Sequence, residues 1–172
     1  EVPPVFTRNA GQYNPNILYA AANTSAMAAF TRDGMRLCIQ GMPFSVAMQE
    51  APETVRLYEA CYTFIGANEN RAIGGDEIAG VNRYYRGRDS ARWIEESTNY
   101  SALVRTNIWN GIDVLYDFAD GRLRQTFVVS SGGDVADIRL SVHGDGRFTP
   151  LLPRIRGYQL SEGDTGWVPA AL

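Results

Sequence analysis

The sequence predicts an all-β fold with little helix, an antiparallel β-sandwich with an irregular β-barrel as the alternative. Short runs rich in Val, Ile, Tyr, Phe and Thr, the residues that favour strands, occupy much of the chain. Turn-forming sequences interrupt these runs at short spacing, as they do in sandwiches and barrels built from many short strands. These turns are Asp33-Gly34, Gly74-Gly75-Asp76, Asn110-Gly111, Asp120-Gly121, Gly132-Gly133-Asp134, Gly144-Asp145-Gly146 and Glu162-Gly163-Asp164.

The first part of the chain contains five predicted strands, of which the second and third form a hairpin across Asp33-Gly34. The fifth has apolar residues on both of its faces, which is typical of a strand in the interior of a sheet. Gly66 ends it, and Ile73 to Gly80 is predicted to be a polar, Gly-rich connection. The five strands are Ile17–Ala22, Met27–Thr31, Met35–Gln40, Phe44–Gln49 and Thr54–Ile65.

The second part begins with a short helical turn over Ser90–Glu96, capped by Asp89 or by Ser90 itself. Tyr100–Ile108 returns to strand, and a later strand contains Leu140. After Phe148 the alternation weakens into a Pro-rich stretch.

The clearest strand–turn–strand sequence runs from Trp109 to Val129. Alternate residues in both of its strands are mostly apolar and share one face. Asp113 and Asp117 are roughly 13 Å apart by strand rise, too far for the carboxylate pair of a retaining glycosidase. We therefore predict that they bind Arg122 or Arg124 across the hairpin.

Composition limits the classes of function. The net charge of −3 gives no indication of a nucleic-acid partner, and no apolar run is long enough for a membrane span. All sixteen basic residues are Arg, so lysine Schiff-base and P-loop chemistry are excluded. A dividing linker is missing, which favours one domain over residues 1–172.

Residues for catalysis or metal binding are sparse, and we predict that the protein is not an enzyme. His143 is the single histidine, and it follows a strand end where a surface position is expected. One His and two distant Cys cannot supply a zinc motif. No cofactor is predicted. Calcium is the alternative, at the carboxylates of Gly-rich turns, Asp134, Asp145, Glu162 and Asp164.

The two cysteines, Cys38 and Cys61, both fall in predicted strands. An even number of cysteines is compatible with one disulfide in an oxidising compartment, so this pair is the disulfide candidate. Two separate buried thiols are the alternative.

Aromatic residues cluster in the middle of the chain. Tyr84, Tyr85, Trp93 and Trp109 form a candidate aromatic contact surface. Such side chains build core when they are buried, contact other subunits at interfaces, and bind sugars when they are exposed in a row. The sequence leaves these alternatives open.

Six sequence elements, in order, resemble the N-terminal β-rich domain of secreted bacterial proteins that often carry β-propeller-type (SBBP) repeats. Two departures are Asn110, where that family usually has Pro, and an extra residue at Arg83. The elements are Asn9-Ala10-Gly11-Gln12, Phe30-Thr31-Arg32-Asp33-Gly34, Phe64-Ile65-Gly66-Ala67-Asn68, Val81 to Trp93, Asn110 to Tyr116 and Phe127 to Leu140.

The resemblance implies a bacterial β-domain outside the cell, one that lacks the last strands of the family because the chain stops soon after Val168-Pro169-Ala170. An edge left open there would invite a strand from another chain. We therefore expect a non-enzymatic extracellular structural module, a subunit of a cell-surface or filamentous assembly. Its expected partners are other protein subunits, with self-assembly by strand or edge contacts. The alternative is a carbohydrate-binding module with glycan ligands.

Overall fold

A computed structural model describes residues 4–22, 26–41, 56–68, 73–144, 159–161 and 165–170. These ranges contain twelve β-strands and two short 3₁₀-helical turns, Ser90–Arg92 and Val135–Asp137. The strands are β1 (Phe6–Arg8), β2 (Ile17–Ala22), β3 (Ala26–Thr31), β4 (Gly34–Gly41), β5 (Arg56–Phe64), β6 (Gly74–Tyr84), β7 (Ile94–Trp109), β8 (Ile112–Ala119), β9 (Arg122–Val129), β10 (Leu140–Gly144), β11 (Gln159–Ser161) and β12 (Thr165–Ala170).

The strands form one antiparallel sheet that curls into a half-barrel, so the all-β prediction with little helix is confirmed. Hydrogen-bonded neighbours follow the order β10-β5-β4-β3-β2-β1-β7-β8-β9-β12-β11, and β6 pairs with β7 off this path. Most neighbours are also consecutive in the chain, as sequential strands usually are.

The curled sheet packs its two halves against each other, which makes the core. Phe64 on β5 meets Trp109 on β7 with ring centroids 5.5 Å apart, although four strands separate β5 from β7 in the sheet. Phe30 on β3 likewise contacts Tyr116 on β8 at 4.8 Å. All four of these side chains are buried, and such edge-to-face pairs add to the free energy gained from burial.

β7 is the junction of the sheet. β6 pairs with one of its edges between Ile94 and Val104, so β1 and β8 share the opposite edge, end to end. The register shifts between Arg105 and Trp109, where Asn107 has a φ of 51°. β6 lies off the main path of the sheet, and most of its residues are exposed.

Arg105 fastens the β3–β4 turn from inside the core. Its side chain is fully buried, and the guanidinium donates hydrogen bonds to the carbonyls of Thr31, Arg32 and Gly34. It also lies 5.4 Å from the ring centroid of Phe64 on β5. One side chain of β7 thus holds both the turn and the opposite half of the sheet.

Two glycines allow a close approach between the β7–β8 turn and the segment after β9. A Cβ on Gly111 would lie 3.0 Å from the backbone of Gly133, and a Cβ on Gly133 would lie 2.8 Å from the carbonyl oxygen of Gly111. The same carbonyl accepts a hydrogen bond from the Ser130 amide. The Gly-rich sequences at these turns therefore serve packing as well as chain reversal.

Most predicted strands are confirmed within one or two residues, including the hairpin at Asp33-Gly34 and the interior position of β5 between β4 and β10. The predicted connection from Ile73 to Gly80 is wrong, because β6 begins at Gly74. Only Ser90–Arg92 of the predicted turn is helical, with Asp89 as its cap, and strand resumes at Ile94. The predicted strand Phe44–Gln49 lies outside the described residues.

The predicted binding of Asp113 and Asp117 to arginines across the β8–β9 hairpin is confirmed in part. Asp117 stands opposite Arg124 and accepts two hydrogen bonds from its guanidinium, one of them 2.8 Å from Nε. Asp113 makes no ion pair with an arginine among the described residues. Its carboxylate instead accepts a hydrogen bond of 2.6 Å from the backbone amide of Asn107 and so supports the β7–β8 turn.

Tyr116 predicts a loss of stability at alkaline pH. Burial raises the pKa of its hydroxyl to about 12, and the nearby Arg105 guanidinium offsets only part of the rise. A Tyr hydroxyl in the unfolded chain titrates near pH 10. The free energy that the protonated Tyr116 hydroxyl contributes to folding is therefore intact below about pH 10 and is lost as the pH rises towards 12. Urea titrations at several pH values in this range measure the free energy of unfolding. We expect this free energy to decline less steeply with pH in Tyr116→Phe than in the original protein. An equally steep decline in Tyr116→Phe would refute the assignment, with the exposed Tyr85→Phe as the control.

Candidate interaction surface

The end of the β6–β7 hairpin presents aromatic and basic side chains to solvent. Two exposed aromatic residues lie among four arginines at the end of β6 and in the connection to β7. All six side chains are exposed, and we call this set the aromatic–arginine surface. Its members are Arg83, Tyr85, Arg86, Arg88, Arg92 and Trp93.

Tyr85 and Trp93 form the apolar centre of this surface. Their ring centroids are 5.3 Å apart and their planes meet at 75°. Tyr85 is 58% exposed and Trp93 40% exposed, unusually high for such large side chains. The indole Nε1 donates to the Gly87 carbonyl at 3.3 Å, which fixes the Trp93 ring on the loop.

The short helical turn holds the loop in shape. The Asp89 carboxylate accepts a hydrogen bond from the Ala91 amide at 3.1 Å and caps the turn. Gly87 has a φ of 77°, a left-handed conformation that suits glycine. This local geometry returns the chain towards β7 and brings Trp93 beside Tyr85.

None of the four arginines makes an ion pair with an acidic residue in the described ranges. Arg86 instead lies 5.9 Å from the ring centroid of Tyr84. Tyr84 in turn packs edge-on against Tyr13 at 6.3 Å. Burial, followed by the contact with Tyr84, raises the pKa of Tyr13 to about 12, so the Tyr13 hydroxyl carries no charge near neutral pH.

A buried polar network anchors the hairpin beneath this surface. The Asn82 side-chain amide donates to Thr7 Oγ1 at 2.9 Å and to Asn99 Oδ1 at 3.0 Å, and Thr7 donates to the same oxygen. The network links β6, β1 and β7, and Thr7 and Asn99 are buried. Satisfied buried polar groups of this kind favour one arrangement of the strands that carry them.

A family model described as a domain of unknown function, DUF7948, matches residues 6–149. The chain belongs to this family. The matched range contains the whole aromatic–arginine surface and every strand from β1 to β10. No curated protein and no solved structure was found to match.

The structure separates the four aromatic residues that the sequence grouped together. Tyr85 and Trp93 are exposed and in contact, and Tyr84 is half-buried behind them. Trp109 is only 3% exposed and donates from Nε1 to the Ile65 carbonyl at 3.0 Å. The prediction that Trp109 belongs to a contact surface is therefore wrong, because its side chain lies in the core of the DUF7948 domain.

The disulfide candidates are free thiols in the structure. On the paired strands β4 and β5, Cys38 stands opposite Glu59, and Cys61 stands opposite Arg36. The two cysteines are thus diagonal neighbours, whose Cα atoms are typically about 7–8 Å apart, at the limit for a disulfide. The expected bridge would require the backbone to move.

A cavity of about 780 Å³ lies beside the β3–β4 turn, lined in part by Arg32, Asp33, Tyr62 and Cys61. Burial raises the pKa of the Cys61 thiol, and the neighbouring Glu59 carboxylate raises it further. An activated nucleophilic thiol has a lowered pKa instead. The cavity of this DUF7948 domain therefore offers no support for thiolate catalysis.

The remaining predicted site residues do not converge. His143 is exposed on β10, where it stands opposite Cys61 of β5, and its ring Nε2 lies 2.7 Å from Ser141 Oγ. Asp134 caps the Val135–Asp137 turn, whereas Asp145, Glu162 and Asp164 lie outside the described residues. Within the described ranges no three His, Cys, Asp or Glu side chains form a metal-binding group. None of the helices described there is long and apolar enough to cross a membrane.

Two strand edges are relevant to the expectation that copies associate by strand or edge contacts. The outer edge of β9 is paired with the chain's own β12, from Gly166 to Ala170. β6 has three register shifts against β7 and carries Asp76 and Glu77 near its start. Bulges and charges of this kind discourage pairing with a further strand. At these two edges, exposed side chains of the DUF7948 domain are therefore a better basis for a contact than pairing of a further strand.

Proposed function

We propose that this DUF7948 domain is a non-enzymatic structural module, a subunit of a cell-surface or filamentous assembly that contacts other copies through its aromatic–arginine surface. The observation that carries the proposal is the exposed pair of Tyr85 and Trp93 among arginines. Tyr, Trp and Arg are the residues that most often dominate the binding energy of protein interfaces. The buried network under the loop supports a surface that is already organised for contact.

The location outside the cell is part of the same proposal. It rests on the resemblance to secreted bacterial domains in the segments from Asn9 to Leu140. Two thiols on a sheet face are compatible with either compartment, so they do not bear on it.

A carbohydrate-binding module is the second candidate, because exposed Trp and Tyr rings also stack on sugars. The geometry favours it less. The rings of Tyr85 and Trp93 are inclined at 75°, so they do not form the flat platform that a row of sugar rings would need. A glycan array separates the candidates, since the assembly proposal expects no glycan ligand.

We expect the protein to associate with itself, and a double substitution Tyr85→Ser/Trp93→Ser to weaken association at least about tenfold, because both anchors are removed. Light scattering across a concentration series measures the dissociation constant. Tyr85→Ser alone is a second variant, since the Tyr85 side chain contacts only the Trp93 ring among the contacts described and its loss leaves the Trp93 hydrogen bond in place.

Met27→Ser is the matched control, because Met27 is 39% exposed but lies on β3, away from the surface. We expect it to associate like the original protein. A protein that stays monomeric at all concentrations and binds a glycan would overturn the assembly proposal and favour the second candidate.

A further inference from the structure

The aromatic–arginine surface is far more basic than the rest of the molecule. From Arg83 to Trp93 there are four arginines and one aspartate, whereas the whole chain has a net charge of −3. The single aspartate, Asp89, already accepts the hydrogen bond that caps the helical turn. A partner that covers this surface must therefore bring negative charge.

This charge argues against a two-fold symmetric contact centred on the surface. Such a contact places the same patch of both copies face to face, so arginines would meet arginines. Like charges brought together at an interface cost several kcal/mol, and no described acidic side chain pairs with these arginines to reduce the repulsion. Contact between two copies then requires a different, acidic patch on the second copy.

Asp76 and Glu77 provide such a patch. They are consecutive residues of β6, so their side chains point to opposite faces of this strand, which pairs with β7 alone among the described strands. Both are exposed, and neither makes an ion pair within the described ranges. Gly74 and Gly75 precede them, so no bulky side chain flanks the carboxylates on that side. By strand rise they lie roughly 20 Å along β6 from the start of the aromatic–arginine surface, far enough to be a separate site.

Several other acidic side chains are less available. Asp117 is bound to Arg124, and Glu59 lies 3.5 Å from Arg36. Asp113 and Asp134 accept hydrogen bonds from backbone amides. Glu95 and Glu96 lie two and three residues after Trp93 in the chain, so they border the basic surface itself.

We infer that copies of this chain associate head to tail, with the arginines of the aromatic–arginine surface on one copy bound to the Asp76 and Glu77 carboxylates of the next. The inference rests on the proposed function, whose partner it specifies. A contact between two different patches is heterologous, and it propagates into a ring or a filament.

Two variants test the two halves of this contact. Asp76→Asn/Glu77→Gln leaves the basic half intact, and Arg86→Glu/Arg88→Glu leaves the acidic half intact. We expect each alone to self-associate at least tenfold more weakly than the original protein. Mixed in equal amounts, they should form a 1:1 complex and stop there, because each contributes one working half. Analytical ultracentrifugation measures both results.

Glu59→Gln/Asp117→Asn is the matched control, since it removes the same number of negative charges from residues that are already paired. It should associate within about twofold of the original protein. If Asp76→Asn/Glu77→Gln associates as tightly as the original, or if the mixture stays monomeric, the head-to-tail inference is overturned while the proposed function stands. If the original protein itself never associates, the proposed function fails.

Discussion

Replacing Gly34 with Ala is expected to destabilise the fold by about 3 kcal/mol or more. Gly34 begins β4 directly beside β5, and a Cβ there would lie well inside contact distance of the Tyr62 carbonyl oxygen and 2.8 Å from its carbon. Both obstacles are backbone, so no side-chain rotation relieves the clash. The strands must separate at the turn that Arg105 also holds.

Thermal unfolding followed by circular dichroism measures this effect, and the midpoint should fall by roughly 10 °C. Gly74→Ala is the control, because Gly74 is also the first residue of a strand but a Cβ there meets nothing within 4 Å. A similar midpoint for both variants would show that β4 and β5 are not as closely packed at Gly34 as described.

Arg105→Met should destabilise the protein by about 3 kcal/mol or more. Met has nearly the length of Arg but no donors, so the carbonyls of Thr31, Arg32 and Gly34 lose the hydrogen bonds that hold their turn. Hydrogen bonds to a charged group contribute about 1.5–3 kcal/mol each, and desolvation of the buried charge offsets part of the sum. Chemical denaturation measures the change in the free energy of unfolding.

Arg124→Met is the matched control for this prediction. Arg124 is half exposed and pairs with Asp117 on the surface of the hairpin, where an ion pair contributes about 0–1 kcal/mol. The core position should therefore be several times more sensitive than the surface position to the same substitution. Equal effects would mean that Arg105 does not hold the turn.

Strands with one buried face were the elements that the sequence predicted most accurately. In β8 the buried residues are Ile112, Val114 and Tyr116, so burial follows the alternation that is visible in the sequence. β6 has almost no buried residue and carries Gly and Asp, and it is a strand because it pairs with β7. No periodicity marks such a strand, because tertiary pairing decides it.

The surface was only partly predictable for a similar reason. Local sequence grouped Tyr85 and Trp93 with Trp109, but burial of Trp109 depends on Phe64 and Phe127, which are distant in the chain. The density of arginines between Arg83 and Arg92 was the available signal for a charged surface, and it was missed. The absence of ion pairs for these arginines among the described residues required the structure.

Tyr85 and Trp93 should become buried when copies of the protein associate through the aromatic–arginine surface. Hydroxyl-radical footprinting with mass spectrometry measures this directly, at concentrations below and above the association midpoint. Oxidation of Tyr85 and Trp93 should fall several-fold on association, while Met27 stays equally reactive and the buried Trp109 stays unreactive. If Tyr85 and Trp93 were as reactive in the associated protein as in the monomer, burial of this surface on association would be contradicted.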